Sequence, residues 1–238
     1  MGQLFIVRHG QASLLTSDYD RLSEHGRVQA RRLGEHWARR GMAVDAVFSG
    51  PAKRQRDTAA LVAEAMHEAS APWPSVEILP ELDEHDAFTM VAKAVPRLQD
   101  DPLVAPLARV VAVAQGREER SRAFQQLFEA VMVRWLGGEL ELDEVERWPE
   151  FRERVERGLR TMIEARASGR RLVAFTSVGP TAVMLRSALQ TSDRRSFETA
   201  WRQRNASIST FAFGKGRFTL DAYNTLPHLP DPNDWTFR

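Results

Sequence analysis

The chain has 238 residues, of which 43% are hydrophobic and 27% charged, as expected for a globular protein with a buried core. Its 33 basic and 32 acidic residues leave a formal net charge of +1, which argues against a nucleic-acid-binding or membrane-binding surface. Cysteine is absent, so disulfides, thiol catalysis and cysteine-ligated metals are excluded. No apolar run approaches the ~20 residues of a membrane-spanning helix and no signal peptide is evident, so we expect a cytoplasmic protein.

The first third of the chain alternates short apolar segments with amphipathic ones. The first amphipathic segment has an N-cap at Ser23 and a C-terminal stop at Gly41, which are the usual boundaries of a helix. Strands that alternate with helices indicate a parallel sheet covered on both faces, that is, an α/β fold. The predicted strands are 4–7, 44–48 and 76–79, and the predicted helices are 24–40 and 52–69.

The middle of the chain is helical in pattern, from about residue 86 to 168. Breaks are predicted near Pro102, Pro106 and the pair Gly137-Gly138. Because this segment lies between strands, we expect a helical subdomain inserted into a single domain that spans residues 1–238.

The last third returns to strands and helices. Pro180 is expected in the first turn of a helix. The proline-rich tail "LPHLPDPNDW" is expected to lie extended on the surface. The predicted elements are a strand at 172–175, a helix at 180–189 and paired strands at 207–213 and 218–222.

Unusual polar residues follow three of the predicted strands. Arg8 and His9 follow the first, Arg54 comes shortly after the second, and Glu81 and His85 follow the third. Loops at the carboxyl ends of parallel strands form the ligand crevice of such sheets. Arginine matches phosphate oxygens with a planar set of donors, a neutral imidazole can attack phosphorus, and a carboxylic acid can protonate the leaving oxygen. The set therefore predicts phosphoryl chemistry that needs no metal, because fixed cations supply the charge.

Several segments, taken in order, resemble the histidine phosphatase superfamily, also called phosphoglycerate mutase-like. They are "RHG", "LSEHGRVQARRLG", "SGPAKRQRDTA", "LPEL", "NASIS" and "YNTLPHL". The resemblance implies a three-layer α/β/α sandwich with a mostly parallel sheet and an inserted helical subdomain. It also implies that His9 is the phosphorylated nucleophile, that Arg8 and Arg54 hold the phosphate, and that Glu81 is the proton donor.

One position departs from the family pattern. The family has a second catalytic histidine after the fourth strand, and this chain has Val178 there, in "FTSVGP". Losing one such donor typically costs about 3–4 kcal/mol of transition-state stabilisation. Ser177 and the backbone amide of Gly179, at the start of the next helix, are expected to bind the phosphate instead, and His85 is a further candidate.

The leading hypothesis is a metal-independent phosphomonoesterase without a cofactor, which acts on a small phosphorylated substrate through a phosphohistidine. The alternative is a weakly active or inactive protein of the same fold that binds a phosphate ligand and serves a regulatory role. A phosphoglycerate-type mutase is less favoured, because the acidic stretch after Glu81 would repel a second anionic group, and because Leu14 and Leu15 stand near a position where the family often has asparagine. No nucleic-acid or membrane partner is expected, and a homodimer is the base-rate expectation.

Overall fold

The structure is a computed structural model, and it describes residues 1–13, 20–164 and 169–237. Leu14 and Leu15, and the last residues of the predicted helical insert, lie outside the described residues. Six strands of the described chain form one sheet. They are β1 (Gly2–Arg8), β2 (Ala46–Ser49), β3 (Val76–Ile78), β4 (Arg171–Thr176), β5 (Ile208–Gly214) and β6 (Arg217–Thr225).

The sheet is parallel over most of its width. Its strand order is β3-β2-β4-β1-β5-β6, and the first four of these run parallel. β5 and β6 extend the sheet as antiparallel strands next to β1. Arg8 at the end of β1 lies opposite Thr176 at the end of β4, so the loops that follow these two central strands leave the sheet side by side.

Helices cover both faces of the sheet. The connections from β1 to β2 and from β2 to β3 step across the sheet in one direction, and the connection from β3 to β4 steps back. Because parallel crossovers are right-handed, the helices at 24–39 and 53–68 lie on one face, and the end of the third connection, residues 154–164, lies on the other, which gives the predicted three layers. The helices of the described residues are α1 (Glu24–Arg39), α2 (Lys53–Glu68), α3 (Ala87–Arg97), α4 (Val104–Val113), α5 (Arg117–Leu136), α6 (Trp148–Glu164), α7 (Val178–Leu189) and α8 (Asp193–Ala200).

The core between the sheet and the α1–α2 layer is apolar and closely packed. Trp37 of α1 stacks on Trp73, with the ring centroids 5.6 Å apart. Val7 and Phe175, near the ends of the two central strands, are fully buried in the same cluster. This packing fixes the ends of β1 and β4, and therefore the residues that follow them.

The chain divides into two compact units. One comprises Met1–Glu84 and Arg154–Arg238 and contains the sheet, and the other is the helical unit His85–Glu153. The predicted insert extended to residue 168, whereas the compact helical unit ends within α6. No helix of the described residues is long and apolar enough to cross a membrane.

Two expectations from the sequence are corrected. Pro106 does not break a helix but lies in the first turn of α4, where the missing N–H has no intrahelical acceptor to lose. The tail is not simply extended on the surface, because His228 and Leu229 are buried and a one-turn 3₁₀ helix follows at Pro232–Asp234.

Candidate active site

The candidate site lies where β1 and β4 end beside the start of α2. The backbone N–H of His9 donates to the carbonyl of Thr176, at 2.9 Å. The next amide, that of Gly10, donates to the hydroxyl of Thr58 on α2, at 3.0 Å. Gly10 is required here, because a Cβ at this position would come within 2.4 Å of the carbonyl oxygen of Gly26 on α1. His9 is thus fixed by three elements at once.

The imidazole of His9 is held in one tautomer. Its Nδ1 lies 2.7 Å from the carbonyl oxygen of Gly10, and a carbonyl can only accept, so Nδ1 carries the proton. The lone pair of Nε2 is then the nucleophilic position. The pKa of His9 is well below its usual value, first because the ring is buried and then because the charges of Arg54 and Arg8 oppose protonation. His9 is therefore neutral near pH 7.

Arg54 is the second residue of α2 and its side chain is mostly buried. Its guanidinium donates to the carboxylate of Asp20 at 2.7 Å. The same carboxylate accepts from the backbone amides of Lys53, at 2.7 Å, and Arg54, at 3.3 Å. The N-cap residue Ala52 has no side-chain acceptor, so the Asp20 carboxylate caps α2 in its place. The same carboxylate also orients the guanidinium of Arg54.

Arg8 is buried and held by two backbone carbonyls from the C-terminal third of the chain. Its Nη1 donates to the carbonyl of Gln203, and its Nη2 donates to that of Phe237 at 2.8 Å. The C-terminal tail is therefore part of the candidate site. No local pattern in the chain predicts these contacts, because the residues are 195 and 229 positions apart.

The third predicted strand leads into a short segment that we call the acid loop, residues 79–84. Glu81 lies in a one-turn 3₁₀ helix within it, and a Cβ at Gly158 of α6 would come within 2.7 Å of the Cβ of Glu81. Glu84 leaves this turn, and its carboxylate accepts from the backbone amide of Gly179 at 3.0 and 3.2 Å. The negative charge of Glu84 also acts to raise the pKa of His9.

Glu84 is therefore a functional candidate that sequence reasoning missed, since it counted this residue only as part of an acidic stretch. No local pattern marks Glu84, because its contact with the Gly179 amide joins residues 95 positions apart.

Side chains from neighbouring elements hold the carbonyls of the acid loop. Nη1 of Arg154 on α6 lies 3.3, 3.0 and 3.2 Å from the carbonyl oxygens of Pro80, Glu81 and Asp83. The carbonyl of Leu82 accepts from the Thr176 hydroxyl at 2.8 Å and from the Gln55 amide at 3.3 Å. The backbone that carries Glu84 is thereby fixed.

At the start of α7, the Gly179 amide that was predicted to bind phosphate has a partner within the chain. The Gly179 amide already binds the Glu84 carboxylate, and Val178 is the first residue of the helix. Ser177 is buried, and its hydroxyl accepts from the side-chain amide of Gln55 at 2.8 Å. The hydroxyl proton of Ser177 then remains available for donation.

His85 belongs to the helical unit, where its ring packs among aromatic rings. It stacks on Trp135, with centroids 5.1 Å apart, and meets Phe151 edge-on at 5.6 Å. That His85 also reaches the phosphate pocket stays a prediction.

Fold and site define the class of this protein: an α/β sheet carrying, at the carboxyl end of its central strand, a neutral histidine under the charges of two arginines. More specifically, the chain belongs to the histidine phosphatase superfamily (branch 1), whose family model matches residues 4–104 and 111–226. A search of curated proteins found no match.

Solved structures with the same fold include enzymes of phosphate-ester metabolism. A phosphoserine phosphatase mutant from Entamoeba histolytica, in complex with phosphoserine, has a TM-score of 0.64 at 16% identity and covers 96% of this chain and 100% of its own. A mycobacterial glucosyl-3-phosphoglycerate phosphatase gives 0.60 at 17% identity, with coverage of 94% and 98%. A phosphoglycerate mutase from Bacillus anthracis gives 0.60 at 16% identity, with coverage of 95% and 94%. At these identities the likeness concerns the fold.

Proposed function

We propose that the protein hydrolyses small phosphomonoesters through a phosphohistidine formed on His9. The observation that carries this proposal is the state of that residue: a buried, neutral imidazole with its proton on Nδ1, under the charges of Arg8 and Arg54. This is the form that attacks phosphorus, and the arginines match the charge on the phosphoryl oxygens.

The proposed reaction has two steps. Nε2 of His9 attacks phosphorus, the bond from phosphorus to the ester oxygen breaks, and the carboxylic acid of Glu84 gives its proton to the departing oxygen. The Glu84 carboxylate then takes a proton from water as the water attacks the phosphohistidine. The nitrogen–phosphorus bond breaks, and phosphate and neutral His9 are released. Glu84 replaces Glu81 as the proposed proton donor, because its charge acts on His9 and it lies at the start of α7.

The side chain of Val178 supplies no hydrogen-bond donor, so the phosphoryl oxygens depend on other groups. We propose that the Ser177 hydroxyl, oriented by Gln55, and the Gly179 amide take this role. The amide becomes available when an entering phosphoryl group displaces the Glu84 carboxylate from it. The displaced carboxyl group then faces the ester oxygen that it has to protonate.

The test is the release of phosphate from an aryl phosphate by the wild type, by His9→Ala and by His67→Ala, which alters an exposed histidine of α2. We expect a loss of at least about 10³-fold in His9→Ala and none in His67→Ala. A phosphoryl label on His9 that survives treatment with base and is lost in acid would identify the phosphohistidine intermediate. Equal release by the wild type and His9→Ala would overturn the proposal.

A second candidate, a phosphate-binding protein without turnover, is favoured by one observation: the amide of Gly179 is occupied by an internal carboxylate, next to Val178. If phosphate raises the melting temperature of the wild type but no His9-dependent release is detected, this second function is the correct one.

A further inference from the structure

The segment between α8 and β5 contacts the candidate site on both sides of Arg204. The carbonyl of Gln203 accepts from Arg8. The side-chain amide of Asn205 donates to the carbonyl of His9 at 3.3 Å. Arg204 therefore stands between two residues that touch the nucleophile and one of its flanking arginines.

The guanidinium of Arg204 lies against two rings of the C-terminal tail. It is 4.5 Å from the ring centroid of Trp235 and 5.4 Å from that of Phe237. The indole ring of Trp235 is anchored, because its N–H donates to the carbonyl of Leu229 at 2.8 Å, and the backbone of Phe237 is held where its carbonyl accepts from Arg8. A guanidinium that stacks on rings uses its faces and keeps its in-plane N–H groups for other partners. Arg204 is thus a cation fixed in position.

Within the residues that the structure describes, Arg204 has no carboxylate partner, in contrast to Arg54, which is paired with Asp20. Its buried Nε has no hydrogen-bond acceptor there either. The buried side-chain amide of its neighbour Gln203 likewise lacks partners at both its nitrogen and its oxygen within that part of the chain. Buried polar groups are nearly always paired, so unpaired ones beside a candidate site point to a ligand that completes them.

We propose that Arg204 binds a second anionic group of the substrate, a carboxylate or a second phosphate, while Arg8 and Arg54 hold the phosphoryl group that is transferred. This inference rests on the proposed phosphatase function and specifies its substrate class: small phosphate esters with a second negative charge. Arg8 and Arg204 both contact Phe237, one at its carbonyl and the other at its ring, so a short carbon chain would span the two positions.

The acidic stretch does not conflict with this arrangement. Glu84 of this stretch is bound to the amide of Gly179, and Asp86 caps α3 by accepting from the amide of Thr89 at 3.0 Å. Burial raises the pKa of Asp83. Arg204 approaches from the tail instead, with no acidic partner among the described residues. A second anion is therefore favoured on the tail side of the site.

The test uses substrates that differ by one anionic group. O-phosphoserine is compared with O-phosphoethanolamine, which lacks only the carboxylate, and fructose 1,6-bisphosphate with fructose 6-phosphate. We expect kcat/KM of the wild type to be about 10-fold to 100-fold higher for the doubly anionic member of at least one pair, as is typical of a charged hydrogen bond. The pair that shows the preference identifies the anion as carboxylate or phosphate. Arg204→Met should abolish this preference, and Arg204→Lys should keep part of it.

Arg202→Met is the matched control, because this exposed arginine also lies over the Phe237 ring, at 5.5 Å. It should keep the preference. An equal loss on both members of a pair in Arg204→Met would assign Arg204 to anchoring the tail alone, and an equal effect of Arg202→Met would assign the preference to general positive charge. Either result overturns the inference, as does a wild type without preference.

Dissociation constants of the same compounds, measured by calorimetry in the His9→Ala background, separate this inference from the proposed function. A preference in binding that depends on Arg204, together with no turnover by the wild type, would refute the phosphatase and retain the anion site. Turnover by the wild type without any preference for the doubly anionic compounds would retain the phosphatase and refute the anion site.

Discussion

Glu81 and Glu84 both lie in the acid loop, three positions apart, and local geometry separates their roles. Glu81 is within the 3₁₀ turn and faces α6, whereas Glu84 has passed the turn and reaches the start of α7. We expect Glu84→Gln to lower kcat by about 10²–10⁴-fold, the usual contribution of a general acid, and Glu81→Gln to stay within a few-fold of the wild type. Steady-state kinetics with an aryl phosphate and an alkyl phosphate measure kcat of both variants. The loss of kcat in Glu84→Gln should be larger for the alkyl phosphate, because its more basic leaving group depends on the proton. A larger loss in Glu81→Gln would restore the sequence-based assignment.

The residues that sequence alone could predict are those fixed by local pattern. Arg8 ends an apolar strand, His9 follows it directly, and Arg54 is the second residue of a helix, so each is positioned by its own element. The groups that hold them could not be predicted in this way. Asp20, Gln203 and Phe237 reach these arginines through contacts between residues far apart in the chain, and such contacts depend on the complete sheet.

At the scale of elements, the position of the acid loop depends on α6. Nη1 of Arg154 contacts three carbonyls of this loop, so its removal leaves these carbonyls without their donor. We expect Arg154→Met to lower kcat by about tenfold with little change in KM, and to reduce the free energy of unfolding by about 2 kcal/mol. Arg160→Met, on the exposed side of the same helix, is the control and should match the wild type.

A positioning role for Arg154 also predicts a signature that loss of stability alone does not give. The pH limb of kcat that reports Glu84 should shift in Arg154→Met, and Arg154→Lys should restore part of the wild-type profile. A variant that is destabilised but retains both the wild-type kcat and the wild-type pH profile would remove Arg154 from this role.

The positions of helices could be predicted where hydrophobic periodicity agrees with capping or helix-breaking residues. Examples are α1, which begins after Ser23, and the end of α5 at Gly137-Gly138. Pro106 was misjudged because a proline at the start of a helix and one at its end give the same local sequence signal. The buried part of the tail was missed because polarity and proline content describe the segment itself, whereas its burial depends on the surface that it meets.

At the scale of the molecule, the tail is attached to the sheet unit by His228 and by residues 234–237. His228 is buried with no partner for either ring nitrogen among the described residues. Its pKa is lowered to about 3, first by burial and then by the charges of His36 and Arg32. The folded protein thus keeps His228 neutral, while the unfolded chain takes up a proton near pH 6.5.

The stability that neutral His228 contributes is therefore complete above about pH 6.5 and decreases as the pH falls towards 3, by up to about 1.4 kcal/mol for each pH unit. We expect His228→Gln to flatten the acid side of the profile of unfolding free energy against pH, measured by urea denaturation, without abolishing it, since the pKa of His9 is also lowered. His67→Gln should leave the profile unchanged. A wild-type slope that persists in His228→Gln would show that His228 is not its source.

The contact between Arg8 and the carbonyl of Phe237 has a consequence for how the protein is made. Arg8 and His9 leave the ribosome first, but the groups that orient Arg8 are synthesised 195 and 229 residues later. Contacts that close such long loops form slowly compared with helices. The side chain of Arg8 at the end of β1 therefore reaches its two carbonyl partners only after the C-terminal third of the chain has been synthesised. A nascent chain halted before β5 would carry the nucleophile without the pocket that activates it, and activity should appear only once synthesis has passed the tail.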